Sequence, residues 1–233
     1  EQTVFKSFYG ENLRRVKYQS MAAAKQKIED MTGIENQRMY GTRNFIHQFI
    51  TEKFPKDIGF NMNHVNVVNF DIEVASDDGF PEPEHAAYPI ISIALKSSKS
   101  SVYQVWGLDQ YDPAKTEIDL QGDLIQYHYC ESETELLAKF LAYWTKNYPD
   151  VITGWNTRFF DVPYIVNRIA GIGTEQAART LSPWNLVNER NVNSRGRTLP
   201  AFELVGIQQA DYLELFKKFG YSYGPQESYR LDH

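Results

Sequence analysis

The run Val65-Asn66-Val67-Val68-Asn69-Phe70-Asp71-Ile72-Glu73 reads as a buried strand that ends on two carboxylates. Alternate residues on a strand point to the same side, so Asp71 and Glu73 would aim two negative groups at one spot. Like charges held that close resist joint ionisation unless a cation sits between them. Carboxylate oxygens suit hard divalent ions such as magnesium or manganese. The pair thus suggests a metal site at a strand end. Two surface acids on a solvated strand end would give the same letters, and at this point both readings stand.

The surrounding chain sets the frame. A chain of 233 residues can be one large domain or one domain with an appendage, and it can bury a substantial core. Hydrophobic content of 42% and charged content of 23% are ordinary for a globular protein. Aromatic content of 14% is high, and such rings serve as core material or as stacking platforms for unpaired bases. A net charge of -6 argues against a protein that simply coats duplex DNA, while leaving nucleic acid open as the substrate of a metal site. The lone Cys130 excludes an intrachain disulfide and a multi-cysteine zinc site, and fits a reducing cytoplasm. No apolar run is long enough to span a membrane. The chain opens Glu1-Gln2-Thr3-Val4 with neither methionine nor signal peptide, which is expected of a fragment or a processed chain.

Residues 1–64 differ from the rest. Arg14, Arg15 and Lys17 make a small basic cluster, read first as a solvated face. Ser20 precedes a strong helix former, Met21 to Met31, with Met21, Ala24, Ile28 and Met31 on one stripe and Gly33 closing it. A second helix is expected from Arg43 to Lys53, with Phe45, Phe49 and Ile50 inward and Pro55 as its stop. From Val65 the pattern turns to strands. Ile90–Leu95 and Val102–Leu108 form an antiparallel hairpin, and Leu124–Tyr129 is a further strand. Ser132 and Glu135 make a capping box for a helix with Leu136, Leu137, Phe140, Leu141 and Trp144 inward, ended by Pro149. Val151 to Trp155 is a short buried strand, and Val162 to Ile172 a helix with Pro163 in its first turn. Arg190, Arg195 and Arg197 lie in an exposed hairpin turning at Asn193-Ser194-Arg195-Gly196. Gln208–Asp211 and Tyr212–Phe219 add a strand and a helix, and the whole is an α/β layout.

Asp161, just before Pro163, would ordinarily be a helix cap. It is also a third acid at an element terminus in an α/β layout, where ligands bind beyond strand ends. Asn156 follows a buried strand, where its amide could meet a substrate.

Phe70-Asp71-Ile72-Glu73, followed about ninety residues later by Ile152-Thr153-Gly154-Trp155-Asn156 and Phe160-Asp161-Val162-Pro163-Tyr164, resembles the first two exonuclease motifs of family B DNA polymerases, above all those of T-even-type bacteriophages. Asp78-Gly79-Phe80-Pro81-Glu82-Pro83, Asp211 to Phe219 and Ser228-Tyr229-Arg230-Leu231-Asp232 are similar to that group too. The resemblance implies a ribonuclease-H-like α/β fold, a mixed sheet flanked by helices, over residues 65–233, with a smaller α-rich part of the polymerase's N-terminal domain over 1–64. It implies 3′-to-5′ proofreading of DNA, with Asp71, Glu73 and Asp161 as catalytic ligands of two Mg2+ or Mn2+ ions. It assigns Phe80 as a wedge against the terminal bases, Asn156 to the terminal nucleotides and Phe160 to the wall of the site. Arg195 and Arg197 then fall in a hairpin that separates primer end from template. The implied partners are a single-stranded 3′ end, primer-template DNA, the remainder of the polymerase chain, and a sliding clamp and replisome proteins through the full-length protein, in the host cytoplasm. For Phe80 a loop aromatic pinned by Pro81 is the plain alternative; for Phe160 it is a core position.

The family's third motif, Tyr-x-x-x-Asp, and its palm motifs, Ser-Leu-Tyr-Pro-Ser and Asp-Thr-Asp, are absent from the sequence. The metal site is therefore expected to be incomplete and the exonuclease domain truncated at its C-terminal end. Two rival expectations remain: a non-catalytic module of the same fold that holds single-stranded DNA or polymerase partners, and an RNase-H-like exonuclease acting on RNA.

Overall fold

A computed structural model of the chain describes residues 5–32, 34–35, 38–40, 45–76, 79–117, 119–194, 197–220, 224 and 226–230, with backbone alone at Phe45, Ser194, Arg197 and Thr198. The chain forms two compact units, Glu1–Phe60 and Asn61–His233, divided slightly before the change of pattern expected at Val65.

In the first unit a short antiparallel pair, β1 (Phe5–Lys6) and β2 (Asn12–Leu13), precedes α1 (Met21–Met31) and α2 (Phe45–Lys53). Ser20 caps α1 by accepting from the Ala23 amide at 3.1 Å. The C-cap is Thr32; Gly33 and Arg43 lie outside the described residues. The expected inward stripes are only partly so. Ala24 is buried, but Met21, Phe49 and Ile50 are exposed, because helical spacing shows which residues share a face and not whether anything covers it.

The second unit is built on a six-stranded mixed sheet. Its strands are β3 (Val67–Val74), β4 (Ile90–Ser97), β5 (Val102–Gly107), β6 (Leu124–Tyr129), β7 (Val151–Thr153) and β10 (Gln208–Gln209). Their order across the sheet is β10-β7-β3-β4-β5-β6. β3, β4 and β5 are antiparallel neighbours, β7 runs parallel to β3, and β6 runs parallel to β5. Helices α3 (Glu133–Trp144), α4 (Asp161–Ile172), α5 (Glu175–Arg179) and α6 (Tyr212–Phe219) complete the unit, with a separate hairpin of β8 (Val187–Ser194) and β9 (Arg197–Leu204).

Alternation along β3 determines what each face does. Val68, Phe70 and Ile72 are buried in the core, while Asn69, Asp71 and Glu73 are exposed on the other face. The two acids stand in the last half of the strand, close to the end where they were expected: the ladder with β4 pairs Asp71 with Ala94 and Glu73 with Ser92 before it shifts at Val74. Under the sheet, Leu136, Leu137, Phe140 and Trp144 of α3 pack with Val162, Tyr164, Ile165 and Ile169 of α4. The buried Trp144 indole is satisfied there, donating to the Leu181 carbonyl at 2.9 Å. The cap of α3 differs in detail from the expected box. Ser132 accepts from the Glu135 amide, but the Glu135 carboxylate reaches past it to the Glu131 amide, at 2.8 Å. Thr145 caps the far end, well before Pro149. Among the described residues no helix is long and apolar enough to cross a membrane.

Candidate functional site

β7 is short, and its pairing with β3 stops at Asn69–Thr153. Beyond that point β3 continues without β7, and the Ile72 amide needs another acceptor. Asp161 Oδ1 supplies it at 3.1 Å. The amide lying between Asp71 and Glu73 in sequence thus holds the third acid. This overturns the expectation of a helix cap. Asp161 is the first residue of α4, the N-cap is Phe160 without a side-chain bond, and the Asp161 carboxyl is turned to the sheet instead.

Asp161 is 2% exposed. Burial, and then the charge of Asp71, push its pKa up to about 8, against the opposing pull of bonds from the Ile72 amide and its own. Burial also raises Asp71, which reaches solvent but is crowded on one side. Glu73 is raised by burial and then by Asp71. Asp71 is therefore the middle of a chain of like-charge couplings. The residues facing the pair across the ladder, Ala94 and Ser92, carry no compensating charge. Lys96, two pairs further along opposite Asn69, is engaged by Asp123 and by the Tyr103 ring. Among the described residues no three His, Cys, Asp or Glu side chains gather closely enough to hold one ion. The structure brings Asp161 up to Asp71, and Asp71 up to Glu73, without closing the set. The donors are all carboxylates with raised pKa values, which suits a hard divalent cation: such a charge would reverse each of those shifts.

The turn between β7 and α4 fixes Asp161 from the other side. Asn156 adopts a left-handed conformation, φ +66°, and its carbonyl accepts from the Phe159 and Phe160 amides at 3.1 and 3.0 Å. The Thr157 carbonyl accepts from the Val162 amide at 2.9 Å. Gly154 permits this crossing, since a Cβ there would run into the Thr157 hydroxyl and the Phe70 carbonyl. Thr157 itself was not legible as a site residue. Its buried Oγ1 finds no hydrogen-bond partner among the described residues, a cost normally met only with a reason. Asp211 is structural, as its position at a helix start implied: it caps α6 and accepts from the Arg158 amide at 2.9 Å.

Phe80 and Phe160 come together, with ring centroids 5.3 Å apart, and Phe160 also packs on Tyr164 at 5.7 Å. Phe80 is 73% exposed while Phe160 is half-buried, so the pair presents one open aromatic face next to the Asp161 helix start. Arg195 lies outside the described residues. Arg197 opens β9 opposite Ser194. Arg190 is paired with Glu203.

Residues 34–233 match the family described as DNA polymerase family B, exonuclease domain. The chain belongs to that family. The DNA-directed DNA polymerase of Escherichia phage RB69 is 32% identical over 99% of this chain and 27% of its own length, and that of Enterobacteria phage T4 is 28% identical over 98% and 27%. The DNA polymerase delta catalytic subunit of Candida albicans is 34% identical over 51% of this chain and 11% of its own length. The chain thus spans about a quarter of the length of its phage relatives. The mixed six-stranded sheet with its helices is the ribonuclease-H-like α/β fold of the family B exonuclease domain, as the first two motifs implied. Exonuclease domains of this family are metal-dependent in general.

Proposed function

We propose that this chain is the 3′-to-5′ proofreading exonuclease region of a replicative DNA polymerase, hydrolysing the 3′-terminal phosphodiester of DNA and releasing a deoxynucleoside 5′-monophosphate. The observation that carries this reading is the bond from the Ile72 amide to Asp161, which joins both family motifs at one place on the sheet. Asp71, Glu73 and Asp161 would hold divalent ions, Mg2+ or Mn2+ and two in a complete site, which when bound supply an activated water and neutralise charge on the leaving oxygen. The chain's own side chains do the rest. Phe80 and Phe160 offer a stacking face for the terminal base, and base–aromatic stacking of this kind contributes about 1–3 kcal/mol per base. The half-buried Asn156, at the head of the turn into α4, would meet the terminal nucleotides. The β8–β9 hairpin, with Arg195 and Arg197, would lie against the primer end of primer-template DNA. Residues 65–233 make up the exonuclease domain in this reading, and residues 1–64 part of the polymerase's N-terminal domain. Clamp and replisome contacts would come through the longer protein, in the host cytoplasm.

A second reading has its own observation. The three acids do not close into a shared cluster, which is what a single-stranded-DNA or partner-binding module with this fold would show.

One experiment separates the two: 3′- and 5′-labelled single-stranded DNA and RNA incubated in Mg2+ with the chain extended through the family's Tyr-x-x-x-Asp segment. DNA should shorten from its 3′ end with mononucleotide release. D71A and E73A should each slow this by about a thousandfold or more, equivalent to roughly 4 kcal/mol of barrier. No digestion, or digestion indifferent to either substitution, overturns the exonuclease reading. Absence of manganese binding at millimolar concentration by calorimetry favours the module.

A further inference from the structure

Helix α4 holds more than Asp161. Along its length Tyr164, Asn167 and Arg168 reach across to the segment that follows Phe80. The Tyr164 hydroxyl donates to the Tyr88 carbonyl at 2.8 Å and accepts from the Tyr88 amide at 3.0 Å. Asn167 Nδ2 donates to the Pro83 carbonyl at 2.9 Å. Arg168 Nη1 donates to the carbonyls of Ala86 and Ala87, both at 3.0 Å. The other edge of the same guanidinium forks onto Glu133 at 2.8 and 2.7 Å, and Glu133 Oε1 in turn accepts from the Ile90 amide at 2.7 Å. The backbone from Pro83 to Ile90 is therefore fastened, group by group, to α4 and to the first turn of α3.

That is unusual treatment for a connection between two strands, whose polar backbone normally meets water. The fastening tolerates cost in two places. Ala86 is buried with φ +41°, in the left-handed region that alanine avoids. The Arg168 and Glu133 side chains are only 15% and 13% exposed, and a sheltered ion pair adds little net stability while fixing geometry well. Three residues ahead of the fastened segment Phe80 stands in solvent, set against Phe160 one residue before Asp161.

We propose that Asn167, Arg168 and Glu133 are positioning residues: they lock the segment after Phe80 onto the helix that begins with Asp161, so that the exposed aromatic ring and the buried acid keep a fixed spacing. A base stacked on Phe80 then has its phosphate delivered at a set distance from the carboxylates. This rests on the exonuclease reading above. N167A removes a single bond. R168K keeps the charge but loses the fork that spans Glu133 and the two carbonyls.

The test is a double-mutant cycle in EDTA, with an oligothymidylate carrying 2-aminopurine at its 3′ end and binding read by fluorescence. N167A and R168K should each weaken binding by about three- to tenfold when Phe80 is present, and by less than about twofold in an F80A background. Stacking quenches the probe, so the bound-state emission should also rise in both variants. Equal losses in the two backgrounds, or no loss from either variant, overturn the proposal. If R168K fails to fold, N167A alone decides. Failure of the unsubstituted chain to bind overturns the exonuclease reading and this proposal together, whereas binding with additive losses overturns this proposal alone.

Discussion

In Glu1–Phe60 large aromatic side chains stand in solvent, Phe8 at 96% exposure and Phe49 and Phe60 well out too. In Asn61–His233 some rings, Phe80 and Trp184 among them, also stand in solvent, but others build a core: Phe140 is fully buried between Phe70, Trp106 and Trp144. Both units contain capped helices with an apolar stripe. The difference is that in the second unit a sheet lies against the stripe, whereas in the first the stripe of α2 meets water. Capping and periodicity make a helix; only a facing surface makes a core.

Three substitutions sharpen or break that contrast. F140A should cost about 3–5 kcal/mol of unfolding free energy in urea titration, since it empties the centre of an aromatic cluster. A loss below about 1 kcal/mol would mean the second unit is packed no better than the first. D161N should act in the opposite direction. Asp161 titrates near 8 when folded and near its ordinary acidic value when unfolded. Below that ordinary value both states keep the proton, and stability is full. As pH rises towards and through 8 the unfolded chain has released a proton that the folded chain retains, so stability falls. Asparagine keeps the oxygen for the Ile72 amide and cannot ionise. D161N should therefore melt higher than the unsubstituted metal-free chain at pH 8, by on the order of 3 kcal/mol, with the gain vanishing near pH 4. A gain of the same size at both pH values would show that ionisation is not its source. F49S, in the first unit, should change stability by less than about 0.5 kcal/mol, because an exposed side chain has little contact to lose.

Much of the second unit was legible because its signals are local. Alternating residues marked β3, a serine immediately before the first helical turn marked α3, and Leu124–Tyr129 coincides with β6. The parallel pairing of β6 with β5 was not legible, since it depends on a crossover rather than on either strand's letters. The acids stood out as candidates because a strand's period is two and because two motifs resemble a known family. The role of Asp161 was misread locally: a window around Pro163 sees a helix start, while its actual partner, the Ile72 amide, lies far back in the chain. The same distance hid the Arg168–Glu133 pair. Hydrogen bonds between elements follow from the fold and leave no periodic trace in the sequence.

The early end of β7 has a consequence of a different kind. By stopping at Thr153 it leaves an unfinished ladder beside β3, a notch one strand wide, and Asp161 occupies it. The acid's place is thus defined by backbone that is missing, more than by any pocket of side chains. Two further residues of regular pairing would fill the notch with peptide and evict the carboxyl, without altering a single acidic residue. The length of that one short strand therefore decides whether the Ile72 amide meets a carboxyl or another strand, and the letters of the two motifs do not show it.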